Sequence, residues 1–252
     1  MRDGGRKEGD AAAGDAGSPM TPSPWWYRQR ALCITVLYFA GFYGAFTLAH
    51  VAHRQAIPTY AFFGDRYQTA ILSVAVGLAA IGWCWRAWGT SYLQVAVVWN
   101  YDALTDRLYI AGPFRYTRNP LYLGNLFQAA AFAMFAPPAG WWLVVFLQWL
   151  FLAALMHVEE RGMLARYGAA FEAYRATVPQ LLPRPIPAVG EPAPHSSFAK
   201  ALFSETMSCG FVLALLVFAT FGRQAWQATW LIAAAGAIFQ YVVRWKEARP
   251  VA

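Results

Sequence analysis

Hydrophobic and polar positions fall along this chain in long blocks rather than in a short alternation. Five apolar runs stand out, over residues 31–51, 69–88, 139–158, 201–221 and 225–243. Each is close to the ~20 residues that an α-helix needs to cross the hydrocarbon core of a bilayer. A sixth run, 121–136, is shorter and stops at Pro137-Pro138-Ala139-Gly140, which should break one helix and start the next. The pattern predicts an all-α, polytopic transmembrane protein of about six spans, with spans three and four forming a tight hairpin.

Polar residues collect in two loops, 89–120 and 159–200. In the second, Met163, Leu164, Tyr167, Phe171, Tyr174 and Val178 recur at three- and four-residue steps, with Arg166, Glu172 and Arg175 between them. That spacing predicts a cytoplasmic amphipathic surface helix over 159–176, continuing from the fourth span. The blocks divide the chain into a polar Gly/Ala/Asp/Pro-rich tail (1–24), a core of four spans plus the surface helix (25–185), a Pro-rich linker (186–200) and a C-terminal two-span hairpin with a short tail (201–252). The tail is too poor in apolar residues to order itself and lacks the apolar stretch of a signal peptide.

Composition strengthens the membrane reading. Hydrophobic residues make up 58% of the chain and charged ones 13%, against about a quarter charged in a soluble domain. The net charge of +7 raises the possibility of a nucleic-acid partner, but the basic residues are distributed by side. On the six-span reading seventeen Lys and Arg fall on the side of the two termini and long loops, and Arg54, Arg66 and Arg223 on the other. The positive-inside rule places both termini in the cytoplasm, with a bacterial inner membrane the expected location and no nucleic acid as partner. Cys33, Cys84 and Cys209 each sit in an apolar run, far apart and odd in number, and read as packing residues. His50 and His53 lie one helical turn apart without an acidic or Cys neighbour, so no metal is expected.

Chemistry-bearing residues gather at one edge of the predicted hairpin. The stretch G-P-F-R-Y-T-R-N-P-L-Y-L-G-N (112–125) enters the third span, and Glu159-Glu160-Arg161 leaves the fourth. A short turn between the spans brings these two ends together. No G-x-G occurs in the chain, so a Rossmann-type nucleotide site is excluded.

The first stretch, the Glu-Glu pair about 37 residues beyond Tyr122-Leu123-Gly124, and Y-G-A-A-F-E-A-Y-R-A-T-V-P (167–179) together resemble the isoprenylcysteine carboxyl methyltransferase and phospholipid methyltransferase superfamily. Its usual pattern is R-H-P-x-Y-x-G, then E-E, then F-G-x-x-Y-x-x-Y-x-x-x-V-P. The resemblance covers roughly residues 80–185 and implies a membrane methyltransferase using S-adenosylmethionine. By position it implies cofactor-binding roles for Arg107, Leu108, Tyr109, Phe114, Asn119, Pro120, Leu121, Tyr122 and Glu159. Asn119 stands where the family usually has His, so a contact through the backbone survives there and one through an imidazole does not. The residue types suit the cofactor. Aromatic faces such as Phe114 and Tyr122 attract a sulfonium cation at about 0.5–2 kcal/mol each. Glu159 suits the ammonium or the ribose hydroxyls, and Arg118 or Arg115 suits the carboxylate. Glu160 and Tyr122 are the expected catalytic residues. The implied acceptor is a lipid or isoprenoid-type molecule bearing a carboxylate or an amine.

Plainer readings stand beside these. Arg115 and Arg118 serve equally as positive-inside anchors, and Tyr116 reads as an interface aromatic. His157 reads as a structural helix-end residue, Glu205 as pairing with Lys200 or reaching the interface, and Trp83, Trp85 and Trp88 as packing residues. A nicotinamide-dependent reductase of sterol-reductase type, or a non-enzymatic transporter or scaffold, are the alternative functions.

Overall fold

The computed structural model describes residues 24–52, 55–93, 108, 110–188, 201–202 and 204–247. Arg107, Tyr109, His53, Arg54, Lys200, nearly all of the tail and most of the Pro-rich linker lie outside the described residues. Every regular element among those described is helical. In chain order they are α1 (Trp25–Arg28), α2 (Arg30–Val51), α3 (Thr59–Phe62), α4 (Asp65–Tyr92), a 3₁₀ turn (Gly112–Arg115), α5 (Pro120–Ala133), α6 (Pro138–Tyr167), α7 (Ala169–Thr177), α8 (Thr206–Phe221), a second 3₁₀ turn (Gly222–Ala225) and α9 (Trp226–Glu247).

Four helical stretches are long and apolar enough to cross a membrane: Arg30–Val51, Asp65–Tyr92, Pro138–Tyr167 and Thr206–Val242. Large apolar side chains such as Leu32, Val36, Phe39, Trp142, Phe146 and Leu231 are exposed on these stretches, as they are where the solvent is lipid. The last stretch contains α8 and α9, separated at Gly222 (φ +61°). These two pack closely where Gly210 meets Gly236, a position at which an added Cβ would sit 3.0 Å from the opposite Cα.

The sixth apolar run forms only the 14-residue α5. At 1.5 Å per residue it is ~21 Å long, short of the ~30 Å core. It is largely enclosed, with Leu123, Gly124, Gln128, Ala129, Ala131 and Ala133 buried. Its approach to α4 depends on small residues. An added Cβ on Gly82 would lie 2.6 Å from the Gly124 carbonyl oxygen, so both glycines let the backbones touch. At the far end α5 turns through residues 134–137 into α6, as the Pro-Pro-Ala-Gly sequence requires.

α6 runs for 30 residues, and its four charged residues, Glu159, Glu160, Arg161 and Arg166, all lie near its C-terminus. The helix expected over 159–176 is not continuous. α6 carries on to Tyr167, and Gly168 breaks the chain with φ +50° before α7 starts. On α7, Phe171 and Tyr174 are buried and Glu172, Ala173, Arg175 and Ala176 are exposed.

The C-terminal hairpin is tied into the bundle. Phe218 packs with Tyr60 and Leu72, and Leu215 with Ala79 and Ala131. Two charges expected at interfaces are instead buried together. Arg86, counted among the cytoplasmic basic residues, lies within α4, and Glu205 accepts from its Nε at 2.7 Å and its Nη2 at 3.1 Å. Side-chain exposure is 9% for Arg86 and 0% for Glu205. Thr90 Oγ1 donates to the same carboxylate at 2.9 Å, and Arg86 Nη1 donates to Asn125 Oδ1 at 2.6 Å. A charge in an apolar interior persists only when paired and hydrogen-bonded, which explains the clustering.

Candidate active site

The first motif is a loop held at both ends. Gly112 opens it with φ +55°, and an added Cβ there would run into the ring of Tyr92. Both the dihedral and the contact demand glycine. The following 3₁₀ turn buries Pro113 and Phe114. Pro120 then starts α5 at its first position, where the missing N–H costs nothing.

The third motif lies alongside the first and clamps it. Past α7 the chain bends back along the first motif, where backbone hydrogen bonds join Arg118 N to Pro179 O (2.9 Å), Arg184 N to Tyr116 O (3.0 Å) and Ala188 N to Arg115 O (2.9 Å). Thr117 Oγ1 donates to Gln180 O at 3.1 Å, Arg115 Nε to Ala188 O at 2.6 Å, and the Tyr174 hydroxyl to Phe114 O at 2.7 Å. Burial pushes the Tyr174 phenol above its ordinary range, which keeps it a donor. Leu108 packs against the apolar cluster of Phe171, Tyr174, Val178 and Ala188 beneath this strap.

Arg118 is the hub of the clamp. Its guanidinium forks onto Glu160, with Nε to Oε1 at 3.0 Å and Nη2 to Oε2 at 3.1 Å, while Nη1 donates to the carbonyls of Val178 (2.5 Å) and Arg175 (3.1 Å). Asn119 joins the same network, its Nδ2 donating to Gln180 O at 3.0 Å and Glu160 Oε1 at 3.4 Å. Side-chain exposures are 12% and 17%, so removing either partner of this fork leaves the other charge enclosed and unpaired, at about 3 kcal/mol.

Glu159, one residue earlier, faces a different group. Tyr122 on α5 donates its hydroxyl to Glu159 Oε1 at 2.6 Å. Tyr27 on α1 donates to the same oxygen at 3.1 Å, and Arg30 Nη1 lies 3.8 Å from it. The Arg30 guanidinium also lies 4.9 Å from the centre of the Tyr27 ring. Desolvation, together with the neighbouring carboxylate, raises the Tyr27 phenol above its ordinary range, so it stays protonated and donating.

The structure thus joins Glu159 with Tyr122, and Glu160 with Arg118 and Asn119, at one end of the α5–α6 hairpin. Pro120 is buried at the base of α5, and Leu121 reaches α4 at Gly89. Phe114 is buried in the clamped turn. Arg107 and Tyr109 lie outside the described residues. Sequence reasoning did not single out Tyr27, and it read Arg30 only as a topology anchor. The run Trp25-Trp26-Tyr27-Arg28-Gln29-Arg30 carries the composition of any interface belt, and nothing local marks two of its members as partners of Glu159. Among the described residues no group of three or more His, Cys, Asp or Glu side chains is placed to hold a metal ion.

Four helical stretches long and apolar enough to cross a bilayer make this an integral membrane protein, with the three motif segments meeting at one end of the α5–α6 hairpin. Residues 70–170 match the model of the phospholipid methyltransferase family, part of the superfamily whose motifs the sequence resembles. The matched stretch spans α4, the clamped loop, α5 and α6. No curated protein and no solved structure matches the chain.

Proposed function

We propose that this protein transfers a methyl group from S-adenosylmethionine to the carboxylate or amine of a lipid or isoprenoid-type acceptor at the cytoplasmic membrane face. The observation that carries the proposal is the convergence of all three motifs on one end of the α5–α6 hairpin. There Glu159 is braced on one oxygen while Oε2 accepts no hydrogen bond among the described residues. Such a group fits the amino or hydroxyl functions of the cofactor. When bound, the cofactor supplies an electrophilic methyl group, whose bond to sulfur breaks as the acceptor's oxygen or nitrogen lone pair forms the new one.

The chain's own residues bind, orient and exclude water. Glu159 offers its open oxygen. The ring faces of Tyr122 and Phe114 suit a sulfonium, and the family pattern assigns further cofactor contacts to Leu108, Asn119, Pro120 and Leu121, and to Arg107 and Tyr109, which lie outside the described residues. Tyr122 stands closest to a catalytic role, because its hydroxyl and ring border the same carboxylate. Glu160, with both oxygens on Arg118, acts as a positioning residue that holds the loop against α6. Displacement at a methyl carbon needs little acid–base help, and holding acceptor and donor in line accounts for most of the acceleration.

The topology belongs to the same proposal. Six membrane passages with both termini cytoplasmic put this end of the hairpin at the cytoplasmic face, α7 lies along the surface, and residues 201–252 form a hairpin unit beyond the methyltransferase core. The test is incubation of the purified protein with methyl-labelled S-adenosylmethionine and a total lipid extract. A labelled lipid that disappears with Glu159→Gln supports the reading. Absence of labelled product together with absence of cofactor binding refutes it.

A further inference from the structure

We propose that Tyr27 and Arg30, where α1 meets α2, are positioning residues that make Glu159 a one-sided acceptor for the ligand of this site. The inference rests on the proposed function and extends its site to a part of the chain outside all three motifs and outside the matched stretch.

The argument is geometric. Three groups from three elements converge on one atom: the Tyr122 hydroxyl of α5 and the Tyr27 hydroxyl of α1 donate to Glu159 Oε1 at 2.6 and 3.1 Å, and the Arg30 guanidinium of α2 pairs with it at 3.8 Å. Were the carboxylate merely a buried charge in need of neutralising, partners on both oxygens would serve it better. Instead Oε2 accepts from none of the described residues, and the side chain keeps 22% exposure. The anchoring is itself held in place. Trp26 packs edge-on against Phe151 of α6, with ring centres 6.1 Å apart, so α1 is fixed to the same helix that carries Glu159. Arg30 over the Tyr27 ring orders the two side chains together. A carboxylate braced this way does not rotate to meet a ligand, and the ordering cost is met on folding rather than on binding.

Two phenols and a guanidinium differ in what they contribute. Tyr122 is on the motif helix and sets the distance between α5 and α6. Tyr27 and Arg30 come from the N-terminal side and supply direction and positive charge beside Glu159 and its like-charged neighbour Glu160.

The test is isothermal titration of S-adenosylmethionine into the full chain in micelles, with a thermal melt of each variant. Tyr27→Phe keeps the ring packing and should weaken binding roughly tenfold. Arg30→Ala should do the same, and Arg30→Lys, which keeps the charge, should recover most of it. In a Glu159→Gln background Tyr27→Phe should add less than about twofold, because two groups acting through one carboxylate are not additive. Full additivity would overturn the positioning role, since the phenol would then act independently of Glu159. Wild-type affinity in Tyr27→Phe and Arg30→Ala, with Glu159→Gln weakened, would overturn this inference and leave the proposed function standing. Wild-type affinity in Glu159→Gln would overturn both.

Discussion

The buried Arg86–Glu205 pair provides the sharpest test of how the helices are assembled. Glu205→Ala removes the acceptor of two guanidinium hydrogen bonds and of the Thr90 hydroxyl. It leaves Arg86, with 9% side-chain exposure, charged in an apolar surrounding. Breaking one side of such a pair costs about 3–5 kcal/mol. At about 2–4 °C per kcal/mol for a chain of this size, the midpoint should fall by roughly 6–20 °C. The double variant Arg86→Met/Glu205→Leu replaces charge with packing, and such exchanges are often neutral or better. Asn125 Oδ1 and the Thr90 hydroxyl lose partners in it, at about 1–3 kcal/mol each, so the double variant should melt between Glu205→Ala and wild type. Thermal unfolding in micelles, followed by helical circular dichroism and Trp fluorescence, reads all three. A Glu205→Ala midpoint within about 3 °C of wild type would refute the reasoning, since the carboxylate could not then be the enclosed partner that ties α8 to α4.

Four further outcomes are expected. Arg118→Lys keeps the charge but loses the fork onto Glu160, at about 1.5–3 kcal/mol; residues 178–188 should then be cut by protease in a chain whose helices remain folded, and unchanged resistance would count against the clamp. Asn119→His should leave cofactor affinity within roughly threefold, because one ring N–H can still reach Gln180 O; a loss beyond about tenfold in titration would show that the amide has a role a ring cannot fill. Since burial raises the folded pKa of Tyr174 above its unfolded value of about 10, its contribution is whole below pH ~10 and declines as pH rises further; Tyr174→Phe should lower stability at neutral pH and flatten the alkaline decline in a pH series of melts. A reporter fused after Pro187 should be cytoplasmic and one inserted near Gly64 external, and finding both on one side would overturn the six-pass topology.

What the sequence disclosed and what it hid divide by the range of the interaction. Helix positions follow from apolar runs, and α2, α4, α6, α8 and α9 all lie on runs long enough to see. The α5–α6 turn was legible because Pro137, Pro138 and Gly140 act locally. The Gly168 break was not, because the apolar spacing of Leu164, Tyr167, Phe171 and Tyr174 runs through it without a gap, and only the φ of one residue interrupts the helix. Charge pairing was the least visible layer. Arg86 resembles a terminal anchor until Glu205, 119 residues later, is placed against it, and Tyr27 meets Glu159 across 132 residues. Such pairs leave no periodicity to read. The acidic pair was identified as chemically important, yet its division of labour, one carboxylate braced and the other clamped, depends on which helix face each side chain takes.

The same separation bears on how the chain is made. Arg86 lies in a helix apolar enough to span the bilayer, and its partner is 119 residues further along. At about 5–20 residues per second of synthesis, α4 exists for roughly 6–24 s before Glu205 has been translated. Arg86 lies in the last two turns of α4, where a long basic side chain snorkels toward the interface, so in that interval this end of α4 stays wet. A chain halted before Glu205 should therefore hold α4 displaced toward the side of its C-terminal end, and Arg86→Leu should remove the displacement, as glycosylation-site mapping of arrested chains would reveal. Completion of the C-terminal hairpin then supplies the carboxylate that draws this end of α4 into its enclosed position.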